Sequence, residues 1–501
     1  MLFGTVPTSI PELILFGNWL LEGRFREKWQ LLKNNRIFWA LSLLFILHAV
    51  GMLYTSNAAQ GIKDLRNKLP LEALPLVFFS TKAISAEEFR LLFGFFLLSV
   101  FVSSVCCFIV YLGYTKKVIH DVRDASVFMS HIRFSLFIAF AIMCAAYFFT
   151  KESKQIKWIL GLLIAWLLFY LYKLEMATGF VCLCITVCVL VLVYSYRHAN
   201  RFVSLGILLS LAAVLVFAGT MLYRSSSYFT SNPASPANRL LKRTYNGNPY
   251  LQDTLFGLAE NGNLITININ DNELRKDWNT RSRISYDSCD SKKNVLRYTI
   301  LRYLASKGFT RDSVGLSHLT NNDIHNIELG VTNYKYPITS GIEARWRELV
   351  WEYNNQKRGK NPSGHTFAMR IEFWRTALYI VGKHPLIGVG TGDVQDAFNA
   401  AYVETGTALD ANWRLRNHNQ YLAIAVAFGL TGLLLFLFYL TYPAFVLRKY
   451  VHVLYWPFFI ISLLSFVTED TLETQSGVTF FIFFNAFFLW LGDARKRESI
   501  I

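Results

Sequence analysis

The densest group of side chains able to do chemistry lies in two neighbouring stretches, GHTFAMRIEFWRTALYIVGKHPLIGVGTGD at 364–393 and RLRNHNQYLAIAVAFGLTGLL at 414–434. The first carries Arg370 and Arg375, the second Arg414, Arg416, His418 and Asn419. An imidazole exchanges its proton near neutral pH. A guanidinium keeps its charge and presents a planar fork that fits phosphate or carboxylate oxygens. Each piece also has a plainer reading. Arginines beside lipid anchor headgroups, a lone interfacial histidine is commonly idle, and Gly429 with Gly432 permits close helix packing. The glycines at 388, 390 and 392 do not follow a strand that opens a βαβ unit, so dinucleotide binding is rejected. What sets the region apart is that Arg370, Arg375, Arg414, Arg416 and His418 converge on one interface.

Those residues need elements to hold them. Arg370, Trp374, Ala377 and Leu378 share one helical face by their spacing, and Pro385 ends that helix. His418 and Asn419 open the next apolar helix, where a side chain meets the aqueous interface. The wider chain is 53% hydrophobic and 16% aromatic, with only 17% charged residues, against roughly a quarter in ordinary soluble chains. Spanning helices are predicted near 37–55, 90–113, 132–149, 157–173, 175–194, 202–223, 420–441, 451–468 and 477–491, since about 20 apolar residues cross the hydrocarbon core. The fold class expected is an all-α polytopic membrane protein with about nine to eleven membrane helices. The opening segment and the run LPLEALPLVFF at 69–79 are short and contain proline; the latter is read as re-entrant. Six of the seven cysteines lie in apolar stretches and only Cys289 in the polar region, so that region closes no disulfide on itself. The net charge of +16 is dispersed through loops, and no nucleic-acid motif appears.

Basic clusters at Arg24–Arg36, Lys151–Lys157, Arg197–Arg201, Arg448–Lys449 and Arg495–Arg497 fall on one side if 69–79 brings the chain back before residue 90. By the positive-inside rule that side is the cytoplasm. The 115–133 loop, with Lys116, Lys117, Arg123 and Arg133, opposes this assignment. Three regions follow: membrane helices over 1–223, a large outer loop over 224–417, and membrane helices over 418–501. Inside the loop, LITININ (264–270) alternates like a strand, 294–308 reads as a helix capped at Gly308, and 341–356 as a second helix.

His418, Asn419, Gly429 and Gly432, with the R-x3-W…HPLIGVGTGD segment before them, resemble the signature of the bacterial O-antigen ligase family in its long-loop version, over roughly residues 130–490. The resemblance implies a membrane glycosyltransferase of C-type fold in the bacterial inner membrane, its large loop periplasmic. Such an enzyme moves a glycan from undecaprenyl pyrophosphate to a hydroxyl of the lipid A-core, with no metal and no cofactor. It implies His418 as the base for the acceptor hydroxyl and Arg370 as the grip on the leaving pyrophosphate. Arg375, Asn419 and, without any demand from the motif, Arg414 and Arg416 near His418 in sequence are candidate substrate contacts. An inverting displacement needs that base and that charge. The family commonly carries a second pyrophosphate arginine in a Ser-Arg-Thr-Gly motif; here Met176-Ala177-Thr178-Gly179 stands in its place. Lys173, one turn away, is a candidate substitute; the alternatives are a donor grip rebuilt from the large loop and a weakened or inactive copy. Polymerase and protein O-glycan ligase activities share the chemistry. A lipid-linked glycan binding or transport protein is the non-enzymatic alternative.

Overall fold

A computed structural model describes residues 5–115, 117, 122–198, 206, 239–254, 259–291, 294–335, 349, 352, 361–364 and 366–498. They divide into two units: Met1–Lys117, Arg123–Ser204 and Asn361–Ile501 form one, Val118–Val122 and Leu205–Lys360 the other. The first unit is a helix bundle. Its helices are α1 (Thr5–Leu21), α2 (Phe25–Lys33), α3 (Arg36–Gly51), α4 (Ala58–Asn67), α5 (Pro70–Phe79), α6 (Ala86–Tyr111), α7 (His131–Lys151), α8 (Lys154–Lys173) and α9 (Ala177–His198). Six helices of the described residues, four of them α6–α9, are long and apolar enough to cross a membrane. The chain is an all-α polytopic membrane protein.

The second unit holds α10 (Asp271–Arg281), α11 (Leu296–Lys307), α12 (Ser313–Ser317) and α13 (Asn321–Glu328). Trp278, Tyr286, Ile300, Tyr303, Leu304 and Ile327 form its core. Gly308, at φ 75°, ends α11 where the sequence places a cap. LITININ is not a regular strand. Only Asn263–Leu264 pairs as one, against Ala259–Glu260. Ile265, Ile267 and Ile269 are buried, while Asn268 turns into positive φ and isolated bridges join Ile269 to Leu251 and Arg311. The predicted helices at 202–223 and 341–356 lie outside the described residues, apart from 206, 349 and 352.

The chain then returns to the bundle through α14 (Thr366–Lys383), α15 (Val394–Glu404), α16 (Gln420–Val446), α17 (Tyr455–Thr468) and α18 (Gln475–Glu498). Helix α18 runs through the middle: its Phe480, Phe484, Phe487 and Phe488 stack against Phe93 of α6, Phe140 of α7 and Phe458 of α17. Leucines and valines on α8 and α9 remain exposed at positions a bilayer would cover.

Helix α5 has ten residues, about 15 Å at the α-helical rise, yet it reverses the chain. Lys68 before it bonds Glu473 at 2.8 Å at one end of the bundle. Thr81 after it accepts from Trp490 Nε1 at 3.3 Å toward the other. That second end gathers the start of α3 (Asn35 to Asp493, 2.9 Å), the α7–α8 turn (Arg90 to Glu152, 3.1 Å) and Gly492 against Val451 after α16. The basic clusters at 24–36, 151–157, 448–449 and 495–497 therefore share one end, and the segments around His418 and Glu473 occupy the opposite end; of the cluster at 197–201, residues 199–201 lie outside the described residues.

Gly429 does not serve close helix packing, as its spacing suggests. At φ 65° and ψ −166° it breaks α16, a conformation essentially confined to glycine. A Cβ there would lie 2.3 Å from the Leu386 carbonyl carbon. The HPLIGVG segment lies in the break and satisfies its backbone. Val389 N and Gly390 N donate to Val426 O and Ala427 O at 3.0 and 2.9 Å, and Leu430 N donates to Pro385 O at 2.8 Å. Non-helical backbone inside a membrane protein survives only where protein meets its hydrogen bonds in this way.

Candidate active site

The turn between 416 and 420 is the centre of the site. His418 adopts φ 45°, a left-handed conformation uncommon outside glycine and clustered at functional positions. The turn is pinned from three sides. Asn419 caps α16 by accepting from Leu422 N at 3.0 Å and donates to Val467 O at 3.0 Å. Gln420 donates to Glu473 Oε1 at 3.1 Å and accepts from Leu472 N at 2.7 Å. From α14, Trp374 Nε1 donates to Asn417 O at 3.0 Å, and the Phe373 ring lies 5.8 Å from the imidazole centroid. Arg370, Phe373 and Trp374 stand at i, i+3 and i+4, so one helical face delivers all three to the turn.

On one side of the turn, His418 Nδ1 faces Asp470 Oδ1 at 3.5 Å. That is an electrostatic contact too long for a well-formed hydrogen bond, and Nδ1 makes none. The Asp470 carboxylate raises the imidazole above its usual range, against the opposing effect of burial. Arg370 Nη2 bonds Glu469 Oε1 at 3.0 Å. Glu469 is buried, which pushes its carboxyl up, while Arg370 and His418 pull it down. His418, Glu469 and Asp470 also offer ligand atoms within 4.8 Å of one another, a geometry able to hold a cation.

On the other side, Arg416 reaches Asp64 at 3.7 Å and Glu473 at 3.8 Å. Lys68, whose side chain is 3% exposed, bonds the same Glu473. Burial works against the Glu473 charge, but Lys68, His48 and Arg416 hold its carboxyl well below the ordinary range. This buried network fixes the 470–473 segment that carries Asp470.

The expected residues thus separate. His418 and Arg370 come together through Glu469 and Asp470. Arg416 belongs to the network behind the turn. Asn419 spends both ends of its amide on the cap and on Val467. Arg414 donates to Leu409 O at 3.2 Å. Arg375 is 72% exposed and paired with Glu372 at 3.0 Å. Lys173 ends α8 half-buried, and among the described residues no hydrogen bond or ion pair joins it to His418 or Arg370. Glu469, Asp470, Glu473, Asp64 and Lys68 are additions that the sequence reading lacks. The signal for three of them was VTEDTLET at 467–474, a run rich in carboxylates between two apolar helices.

Residues 329–437 match a family model described as O-Antigen ligase. This segment is an O-antigen ligase domain. The match includes Arg370, His418, Asn419 and the Gly429 break, and it stops inside α16, so the carboxylates at 469–473 lie beyond it. No curated protein matches the chain. The O-antigen ligase domain thus supplies the histidine and the arginine, and the turn between α17 and α18 supplies their counter-charges.

Proposed function

We propose that the protein is an O-antigen ligase-type glycosyltransferase. It transfers a glycan from undecaprenyl pyrophosphate to a hydroxyl of a lipid A-core sugar, at the periplasmic face of the bacterial inner membrane. The observation that carries this reading is that two residues of the matched segment, His418 and Arg370, stand side by side, paired with Asp470 and Glu469 from beyond it. Neutral His418 takes the proton of the acceptor hydroxyl as its oxygen attacks the anomeric carbon. The bond from that carbon to the pyrophosphate oxygen breaks on the opposite face, so the product is inverted. Asp470 stabilises the imidazolium that forms, and Arg370 takes up the charge developing on the departing pyrophosphate. Guanidinium groups supply this field, and the reaction needs no metal. Glu469, already engaged by Arg370, acts as counter-ion rather than metal ligand.

Orientation rests on the basic clusters. The gathering of the four described clusters at the bundle end opposite His418 favours a cytoplasmic position for that end and an outer one for the site. The 224–417 segment is then periplasmic, available to acceptor and donor glycans.

The acceptor is tested in cells lacking the gene. A ligase predicts undecaprenyl-linked polymer that is still made but no longer attached to lipid A-core. Single repeat units on lipid A-core would indicate a polymerase, and loss of glycan from proteins alone would indicate a protein ligase. An unchanged glycan profile would remove the proposal.

A further inference from the structure

The basic end of the bundle, opposite His418, holds a cavity that the proposed reaction does not use. Its volume is about 500 Å³, within the range of small-molecule sites. Four segments meet around it: the start of α6, the end of α7, the connection between α16 and α17, and the end of α18. All are helix ends or a connection, so the cavity lies where membrane helices leave the hydrocarbon. Ser85 and Glu88 close the start of α6 with a reciprocal cap, so that helix start is spent and the cavity's donors are side chains.

The floor is apolar. Phe148 and Leu491 are buried, and the Phe89 ring lies 4.7 Å from that of His452. Leu454 N donates to His452 Nδ1 at 3.2 Å, so that nitrogen is unprotonated and the neutral imidazole carries its proton on Nε2. Nε2 lies 3.1 Å from the Tyr147 hydroxyl oxygen. Tyr147 accepts there, and among the described residues its own proton has no acceptor. A phenol donor is thus left on the wall of the cavity.

The rim carries Arg90, Lys151 and Arg495. Arg90 bonds Glu152 at 3.1 Å, and Glu498 is the lining carboxylate. Lys151 and Arg495 form no ion pair among the described residues. Three cations against two carboxylates leave one positive charge. A phosphodiester carries one negative charge, whereas a phosphate monoester carries about −1.5 to −2. The positive-inside rule accounts for basic residues at this end, but not for a cavity beneath them or for an unspent donor on its wall.

We propose that this cavity binds the phosphodiester headgroup of an anionic glycerophospholipid such as phosphatidylglycerol. Lys151, Arg495 and the Tyr147 hydroxyl take the phosphate oxygens, and the glycerol and first acyl carbons lie on Phe89, Phe148 and Leu491. Basic pockets between membrane helices on the cytoplasmic side suit such headgroups. By the orientation proposed above the lipid comes from the cytoplasmic leaflet. The site is separate from glycosyl transfer and does not depend on it.

The test is titration of the purified full-length protein in detergent with phosphatidylglycerol, read by native mass spectrometry. Lys151→Gln combined with Arg495→Gln should weaken binding roughly thirtyfold, the product of two charges near an anionic lipid. Tyr147→Phe should weaken it about tenfold, the scale of one hydrogen bond to a charged group. Arg448→Gln with Lys449→Gln removes two charges from the same end but none from the cavity, and should change binding by no more than about twofold. Thermal unfolding without lipid checks that each variant is folded, and Tyr147→Phe, which keeps every charge, tests the site even if the double variant does not fold. Phosphatidylcholine, whose choline adds a second cation, should bind more weakly than phosphatidylglycerol. Equal loss in the 448/449 variant, equal affinity for phosphatidylcholine, or no effect of Tyr147→Phe would overturn the site. Displacement of the lipid by millimolar inorganic phosphate would overturn the lipid as its occupant and indicate a soluble phosphate instead.

Discussion

Replacing His418 by alanine is expected to slow glycan transfer by roughly 10²–10⁴-fold, the range a positioned general base contributes, while donor binding persists. The imidazole is a third exposed, faces Asp470 and lies beside Arg370, the proposed receiver of the leaving group. Its protonation supplies a second readout. A base works only in its neutral form, and Asp470 raises the imidazole above its ordinary value. The rate should therefore climb as pH rises through that elevated range. Asp470→Asn removes the anion that favours the imidazolium, so the acidic limb should move to lower pH even as the maximal rate falls. Full activity in His418→Ala, or a limb that stays in place in Asp470→Asn, would show that another group takes the proton.

The other large effect is on stability. Glu473→Gln should destabilise the bundle by about 3–5 kcal/mol, the usual consequence of leaving a buried ion without its partner. Lys68 is almost fully buried and bonds this carboxylate at 2.8 Å, Arg416 reaches it at 3.8 Å, and Gln420 donates to it. The amide keeps the shape and part of the hydrogen bonding but not the charge, so Lys68 is left uncompensated. Lys68→Met combined with Glu473→Leu should recover most of the loss, because replacing both ions by apolar groups is often neutral or better. Thermal and denaturant unfolding in detergent would measure both. A change within about 0.5 kcal/mol for Glu473→Gln, as at an ordinary surface site, would contradict the importance of the network. Since the same segment carries Asp470, the single variant should also lose transfer activity at temperatures where it is still folded.

Much of the bundle is legible in the sequence because hydropathy is a local property. The predicted spans at 90–113, 132–149, 157–173 and 420–441 coincide with helices α6, α7, α8 and α16 within a few residues. Helix α5 was harder: with prolines at 70 and 75 and only ten residues, it lies below any length criterion, and its role shows only in what its two ends touch. LITININ has the alternation of a strand, but among the described residues only isolated bridges stand beside it after Leu264. Alternation says which side chains are buried, and three isoleucines are, but a ladder needs a partner.

The site divides along the same line. His418, Asn419 and the arginines stand close together in sequence, so their spacing could be weighed. Glu469 and Asp470 look like common loop acids until α14 brings Arg370 across a separation of 99 residues. Glu473 acquires its meaning from Lys68, 405 residues away. Spacing alone makes Gly429 a packing glycine, because the segment that fills its break, 385–390, cannot be paired with it by spacing. Non-local charge pairs and broken helices are the features that a linear pattern hides.

The most direct test is transfer by the purified protein in liposomes, supplied with undecaprenyl-pyrophosphate-linked glycan and lipid A-core. The account predicts glycan on the acceptor in inverted linkage and an equal amount of free undecaprenyl pyrophosphate, both lost in His418→Ala. A donor that binds but is never consumed, with acceptor present and the protein folded, would contradict it and leave a lipid-linked glycan binding protein.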